Sequence, residues 1–435
     1  MIGAFEVFIG FVILLGMMAI GVHVAVAIFS VAAIGTLMYL GLPLLYSFGD
    51  TLWGTLNDFL LTAIPLFILL GELLLRSGVT ERMYSALSVW LSRMPGGLLH
   101  TNIGASTVFA AMSGSSVATA ATIGTVALPA LSGRGYSERL AVGTLAAGAT
   151  LGILIPPSIN MIIYGAITNT SIGKLFIAGI LPGLILAGAF MLTIMLFSLL
   201  HPGVAGDEEP RVPLAQRLRS LVDLLPPAFV FAIVIGSIYS GWATPTEAAA
   251  LGVVAALVLA AINRKLTLTM LHECFLSMAR TTAMILLIIV AAFFMNYIVG
   301  ILGIPFTLTN WVADLGLTPL GLILALVVFY LVLGCFLETL SMMIATVPIV
   351  VPMVVQFGFD PVWFGIFLVI MMEISLITPP IGMNLYVVQG VRGKGSITDV
   401  MLGSLPFLAI MLAFVMLIII WPELVLWLPN AMGGN

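Results

Sequence analysis

Small hydroxyl and amide residues recur beside Gly and Pro breaks inside long apolar runs. Ser113, Ser115, Ser116 and Thr119 surround Gly114, and Thr150, Gly152, Ser158 and Asn160 surround Ile155-Pro156-Pro157. Further on, Thr339 and Ser341 follow Glu338, and Ser375, Thr378 and Asn384 surround Pro379-Pro380. These are hard, neutral oxygen donors, which suit Na⁺ better than a transition metal. A helix broken at membrane depth exposes carbonyls at one new end, which attract a cation, and N–H groups at the other, which attract an anion. Each residue also has a plainer reading. Ser or Thr in an apolar helix often satisfies a local carbonyl, and Pro often only kinks a span. Glu338 is either a cap at a hairpin tip or a partner of a helix N-terminus. Glu373, inside a span beside Met371 and Met372, is either functional or part of an interior packing face.

The elements that must carry these residues occur twice. At one constant offset Pro129 aligns with Pro352, Gly135 with Gly358, Pro156-Pro157 with Pro379-Pro380, and Glu373 with Thr150. Residues 1–200 form the first copy, with spans over 1–95 and a broken hairpin plus a broken helix over 98–170. Residues 201–223, with Asp207-Glu208-Glu209-Pro210 and three Arg, form a polar linker, and 224–435 form the second copy, its hairpin and broken helix at 318–391. The expected fold class is therefore an all-α polytopic membrane protein built from two repeats.

Composition agrees. Charged residues are 7% of the chain and hydrophobic ones 62%, where soluble domains carry about 25% charged residues. Apolar runs of about 20 residues, enough to cross a bilayer, recur from end to end. Met1 to Ile20 lacks a basic n-region and a small-residue cleavage site, so it reads as a first span. Leu42 to Phe59 is expected at the headgroup level, and one span over Thr281 to Val299. His23, His100, His201 and His272 share no ligand spacing, and Cys274 and Cys335 read as packing residues. Neither a metal centre other than sodium nor a nucleophile–base pair is implied, so no enzyme activity is expected. No nucleic-acid partner is expected either.

Treating 100–131 and 320–353 as re-entrant hairpins gives each copy five crossings, so the second copy is inverted. With the linker in the cytoplasm, the Arg and Lys residues fall inside, save Lys174, as the positive-inside rule requires. Both termini are then outside. Inverted repeats with discontinuous helices are the pattern of a secondary transporter with a midplane site.

The motifs resemble a known family. They are Ala63-Ile64-Pro65-Leu66-Phe67, the run from Ser113-Gly114-Ser115-Ser116 to Gly124, Gly152 to Ser158, Ile180-Leu181-Pro182-Gly183 and Thr378-Pro379-Pro380-Ile381-Gly382-Met383-Asn384-Leu385. The chain resembles the large membrane (M) subunit of tripartite ATP-independent periplasmic (TRAP) transporters over nearly its whole length, with Glu338 where that family is expected to have Asp. The resemblance implies an elevator-type transporter in the bacterial inner membrane. It implies partnership with a small membrane (Q) subunit and an extracytoplasmic substrate-binding protein, and Na⁺-driven uptake of a small organic acid such as a C4-dicarboxylate or sialic acid. A self-sufficient Na⁺/dicarboxylate symporter is the alternative. The absence of a Gly-x-x-x-x-Gly-Lys motif agrees with gradient coupling. Two Na⁺ sites are then expected, one at Ser115, Gly152, Ile155 and Pro156, the other at Gly334, Ser375 and Thr378. The substrate is expected between the two tips, on Ser113, Ser116, Asn160 and Thr339.

Overall fold

The computed structural model describes residues 3–432 except 202, 204, 205 and 207–211. The acidic run Asp207 to Pro210 and Arg211 of the expected linker lie outside the described residues. The described chain is helical, without strands. It opens with α1 (Ala4–Ala19), α2 (Val24–Tyr39), α3 (Leu42–Leu45), α4 (Ser47–Leu56), α5 (Ala63–Arg76) and α6 (Val79–Leu91). Next come α7 (Leu98–Ser113), α8 (Ser116–Leu131), α9 (Glu138–Leu154), α10 (Ile159–Thr168) and α11 (Ile172–Leu200). The second half has α12 (Leu214–Ser220), α13 (Leu225–Tyr239), α14 (Pro245–Ile262), α15 (Leu268–Ile301), α16 (Ile304–Asp314), α17 (Pro319–Gly334) and α18 (Thr339–Gln356). It closes with α19 (Pro361–Ile377), α20 (Met383–Arg392), α21 (Ile397–Ile420) and α22 (Glu423–Met432).

The order α7 to α11 recurs in α17 to α21. The lengths run 16, 16, 17, 10 and 29 residues in the first set and 16, 18, 17, 10 and 24 in the second. Both Pro-Pro pairs contain a cis bond. Side-chain caps set the helix starts. Ser115, Ser137, Ser158 and Ser171 accept from main-chain N–H groups in the first set, and Thr318, Glu338, Asp360 and Ser396 do so in the second. Such groups satisfy donors that a helix start leaves open, each worth about 1 kcal/mol.

Helices α9 and α19 form the centre. Every residue from Leu140 to Leu154 and from Val362 to Ile377 is buried, as expected for helices apolar on all sides. They pack on each other, with α7, α8, α20 and α21 around α9 and α17, α18 and α21 around α19. Helices α9 and α21 nearly touch at Gly143 and Gly403. A Cβ on either would collide with the other helix's backbone, so only glycine permits this crossing.

A second body joins α5, α14 and α15, with α2 on α15 and α13 on α14. Glu72 ties two of these helices, pairing with Arg76 on its own helix and accepting from Ser277 Oγ of α15 at 2.7 Å. Eight helical segments are long and apolar enough to cross a membrane by length and composition, among the described residues. Trp53, Trp242 and Leu268 are exposed apolar side chains, and the aromatics Tyr46, Trp53 and Phe59 on the stretch expected at the headgroups are exposed as well.

Three expectations of extent change. The linker is not polar connection throughout, because α12 docks on α6, with Arg217 4.4 Å over the Trp90 ring and Arg93 donating to the Val212 carbonyl at 3.1 Å. The span expected over Thr281 to Val299 is the C-terminal part of a longer helix, α15, whose N-terminal part carries His272, Glu273 and Arg280. Hydropathy marks a bilayer core, whereas backbone hydrogen bonding continues past it. Finally, α22 follows the last expected span and packs along α11.

Candidate functional site

Each hairpin tip meets the broken helix of its own copy. Helix α7 ends at Gly114, whose φ of +62° is the left-handed region that glycine enters without cost. A Cβ there would lie 2.6 Å from the Pro157 carbonyl oxygen. Ser115 then caps α8. Across the gap, a Cβ on Gly152 would lie 2.7 Å from the Ser116 nitrogen and 2.8 Å from the Ser115 carbonyl. The Ser116 hydroxyl donates to the Thr150 carbonyl at 3.1 Å. Thus Ser115, Ser116 and Gly152, far apart in sequence, share one contact.

The second copy does the same. Gly334, the last residue of α17, lies against Ser375, so that a Cβ on it would be 2.5 Å from the Ser375 Cβ. The Cys335 thiol faces the Pro379 carbonyl at 3.5 Å. Glu338 proves to be the tip's cap, accepting from the Leu340 and Ser341 N–H groups at 3.2 and 2.7 Å and from the Ser341 hydroxyl at 2.7 Å. Thr339 begins α18 behind it.

The Pro-Pro pairs explain why oxygens collect here. Pro156 and Pro157 have no N–H, so the carbonyls of Gly152 and Ile153 lose their helical donors. Leu376 loses its donor to Pro380 in the same way, while Ser375 keeps a 3.4 Å bond from the Thr378 N–H. Ile155 and Thr378 are the residues that end α9 and α19 in extended conformation. The hydroxyls of Ser375 and Thr378 donate to the Met372 and Ile374 carbonyls at 2.5 and 2.7 Å. Their protons are used locally, and their lone pairs are what remains to offer a cation.

Ser113, Ser116 and Asn160 are buried, with the Ser113 and Thr119 hydroxyls 3.2 Å apart and the Asn160 amide against the Met372 sulfur at 3.6 Å. A cavity of about 710 Å³ opens on the second tip, between Gly334, Glu338, Ser341 and Ser375 and the α1–α2 turn. Its lining includes neither Ser113, Ser116 nor Asn160, so those residues are sealed away from it. Two contributors were not expected from the sequence. Gly71 of α5 lies beside the first tip, where a Cβ would be 3.3 Å from the Ser113 carbonyl. Pro157 contributes its carbonyl beneath Gly114. A glycine inside an apolar run gives no sign of which backbone will approach it.

Paired helical hairpins, each closed on a helix broken at a Pro-Pro pair, within an apolar helical body, define a membrane transport protein. The chain belongs to the family described as tripartite ATP-independent periplasmic transporter, DctM component, which matches residues 11–424. It is 37% identical over 383 residues to the C4-dicarboxylate TRAP transporter large permease protein DctM of Pseudomonas aeruginosa, covering 88% of this chain and 89% of that one. It is 34% identical over 443 residues to the sialic acid TRAP transporter permease protein SiaT of Haemophilus influenzae, covering 99% of this chain and 69% of that longer one. The crystal structure of the Alcanivorax borkumensis YdaH transporter has the same fold, with a TM-score of 0.60 at 16% identity over 87% of this chain and 89% of that one. The chain is accordingly a multi-pass membrane permease of the large TRAP type.

Proposed function

We propose that this chain carries out Na⁺-coupled uptake of a small organic acid across a bacterial inner membrane. It acts with a small membrane (Q) subunit and an extracytoplasmic binding protein that delivers the acid. The relatives' names support the acid as cargo, since they include permeases for C4-dicarboxylate and for sialic acid. The observation that carries Na⁺ coupling is the closure of each tip on its own break, Ser115 on Gly152 and Gly334 on Ser375. One ion lies at Ser115, Gly152, Ile155 and Pro156, the other at Gly334, Ser375 and Thr378. The anion lies between the tips, on Ser113, Ser116, Asn160 and Thr339.

No Arg or Lys occurs in α8, α10, α18 or α19, so the bound ions supply positive charge that the substrate needs. Without Na⁺ the carboxylate meets only neutral donors, and binding fails. The body around α9 and α19 moves as an elevator against the body around α5, α14 and α15. The two copies are inverted in the membrane, with both termini outside. The test is uptake of candidate acids into proteoliposomes, with and without Na⁺, and with and without the two partners. Uptake by this chain alone would favour a self-sufficient symporter. Uptake indifferent to Na⁺ would refute the coupling.

A further inference from the structure

Two grooves flank α1. The larger, about 670 Å³, runs between α1 and α16 on one side and the second hairpin, α17 and α18, on the other. The smaller, about 380 Å³, lies between α1, α2 and α15 and also reaches α18. They share Val7 and Phe11 of α1 and Ala345 and Ile349 of α18. Helix α1 therefore stands off the hairpin with open space on both sides. Leu14 is its only buried residue among the described ones, and Phe5, Phe8 and Val12 are exposed.

The linings are apolar at depth and polar at one end. In the larger groove Thr346 is the one hydroxyl, and its bonds are already made. It accepts from the Tyr330 hydroxyl at 3.0 Å and donates to the Met342 carbonyl at 2.8 Å. In the smaller groove the polar side chains are Glu6 and Tyr39. Glu6 lies in the first turn of α1, and Tyr39 ends α2. These helices are packed neighbours joined by a short turn, so both residues lie at the same end. A polar end above a hydrocarbon depth is the profile of one bilayer leaflet.

Gly10 of α1 and Gly35 of α2 line the smaller groove. Glycine in a membrane helix ordinarily lets another backbone come close, as Gly143 and Gly403 do in this chain. At Gly10 and Gly35 a Cβ would meet nothing within 4 Å. These two glycines widen the groove where the other pair closes a crossing. Protein interiors are packed without such voids, and an apolar void does not hold water.

Size decides the form of the occupant. One turn of a helix with its side chains, 10–12 Å across and 5.4 Å tall, fills roughly 400–600 Å³. The smaller groove holds less than one turn, so no partner helix enters it, whereas an extended hydrocarbon chain is far thinner. We propose that the grooves beside α1 bind the acyl chains of a membrane phospholipid, with its headgroup at the Glu6 and Tyr39 end. The second hairpin then packs on α1 through lipid. On the elevator reading the moving body slides past α1 on this hydrocarbon, but the lipid site itself rests neither on that reading nor on Na⁺.

The test measures phospholipid retained by the full chain purified in mild detergent, by native mass spectrometry. It also measures the melting shift when phosphatidylethanolamine is added back after delipidation. Gly10→Leu and Gly35→Leu fill the smaller groove without a clash, and Gly188→Leu on α11 adds the same side chain in open space outside both grooves. Wild type and Gly188→Leu are expected to retain phospholipid and to melt higher when it returns. Each groove variant is expected to retain at least fivefold less and to lose more than half of the add-back shift. Delipidated, the groove variants should melt no lower than wild type, because the new side chain fills the void. If they do not fold, Ala325→Leu in the larger groove decides, with the same losses expected. Retention by the groove variants equal to that of Gly188→Leu would overturn the inference, as would a wild type that neither retains phospholipid nor responds to it. Loss of the retained phospholipid when a small membrane subunit is co-purified would also overturn it, since protein would then cover the grooves. No readout involves uptake or Na⁺, so the proposed transport function can fail while this inference stands, and the reverse.

Discussion

Replacing Gly152 by Ala tests whether the first tip and the first break form one site. The added Cβ would lie 2.7 Å from the Ser116 nitrogen and 2.8 Å from the Ser115 carbonyl carbon and oxygen. Ordinary contact begins near 3.4 Å, so the tip and α9 must part by about 0.7 Å. The obstructing atoms are backbone, so no rotamer change relieves them. Overpacking of this kind costs about 1–3 kcal/mol. If the cost falls on the closed, ion-holding geometry, Na⁺ half-saturation should rise about 5- to 150-fold, at 1.4 kcal/mol per decade. The control is Gly188→Ala on α11, where nothing lies within 4 Å of the new Cβ. Both variants are assayed for Na⁺-dependent uptake in proteoliposomes with the partner proteins, and for folding by thermal scan in choline. A Gly152→Ala protein that folds like the control and keeps the wild-type Na⁺ curve would refute the pairing of Ser115 with Gly152 as an ion site.

In the second copy, Gly334→Ala meets the Ser375 Cβ, and removing that Cβ in a Gly334→Ala/Ser375→Gly double variant should recover about 1 kcal/mol of stability relative to additivity in thermal unfolding. Gly403→Ala drives a methyl into the Arg139 carbonyl across the α9–α21 crossing, and should lower stability by about 1–3 kcal/mol, seen in a fluorescence-detected melting curve. Arg392 reaches Glu138 at 2.6 Å and Asp399 at 3.4 Å. Glu138 is largely exposed but the Arg392 side chain is buried, so Arg392→Ala should cost about 1–2 kcal/mol, in a melting shift of which only the ion-pair part shrinks in high salt. Thr378→Val keeps shape and removes an oxygen, so it should raise the Na⁺ requirement of uptake with little effect on expression.

The breaks were legible because they are written in local chemistry. Pro156-Pro157 and Pro379-Pro380 remove N–H donors wherever they occur, and Gly114 can turn the chain with a left-handed φ at no steric cost. Glu338 settled into one of its two readings, the cap at the hairpin tip. What the sequence hid depends on other helices. Nothing near Gly71, Gly143 or Gly403 announces that Ser113 or a second helix will press against it. The helix α12 hid because a short amphipathic segment gains its stability from docking, here Arg217 on Trp90. The first turns of α15 hid because the reading followed hydropathy.

The hydroxyls at the breaks bring the plain and the functional readings together. Ser375, Thr378 and Thr119 each donate to a carbonyl of their own or the preceding turn, which is the local bond expected of any Ser or Thr in an apolar helix. That bond fixes the oxygen with its proton turned inward. Its lone pairs then face away from the donor direction, beside carbonyls that proline has deprived of partners. Proline has removed two N–H donors from each break, so these oxygens offer lone pairs with few donors beside them. The arrangement therefore favours a species that only accepts electron pairs, which a small hard cation does. The local bond is in this way a means of orienting the oxygen, and Ser375→Ala and Thr378→Val should differ from substitution of an ordinary helix serine such as Ser404, whose hydroxyl donates to Met401 away from either break.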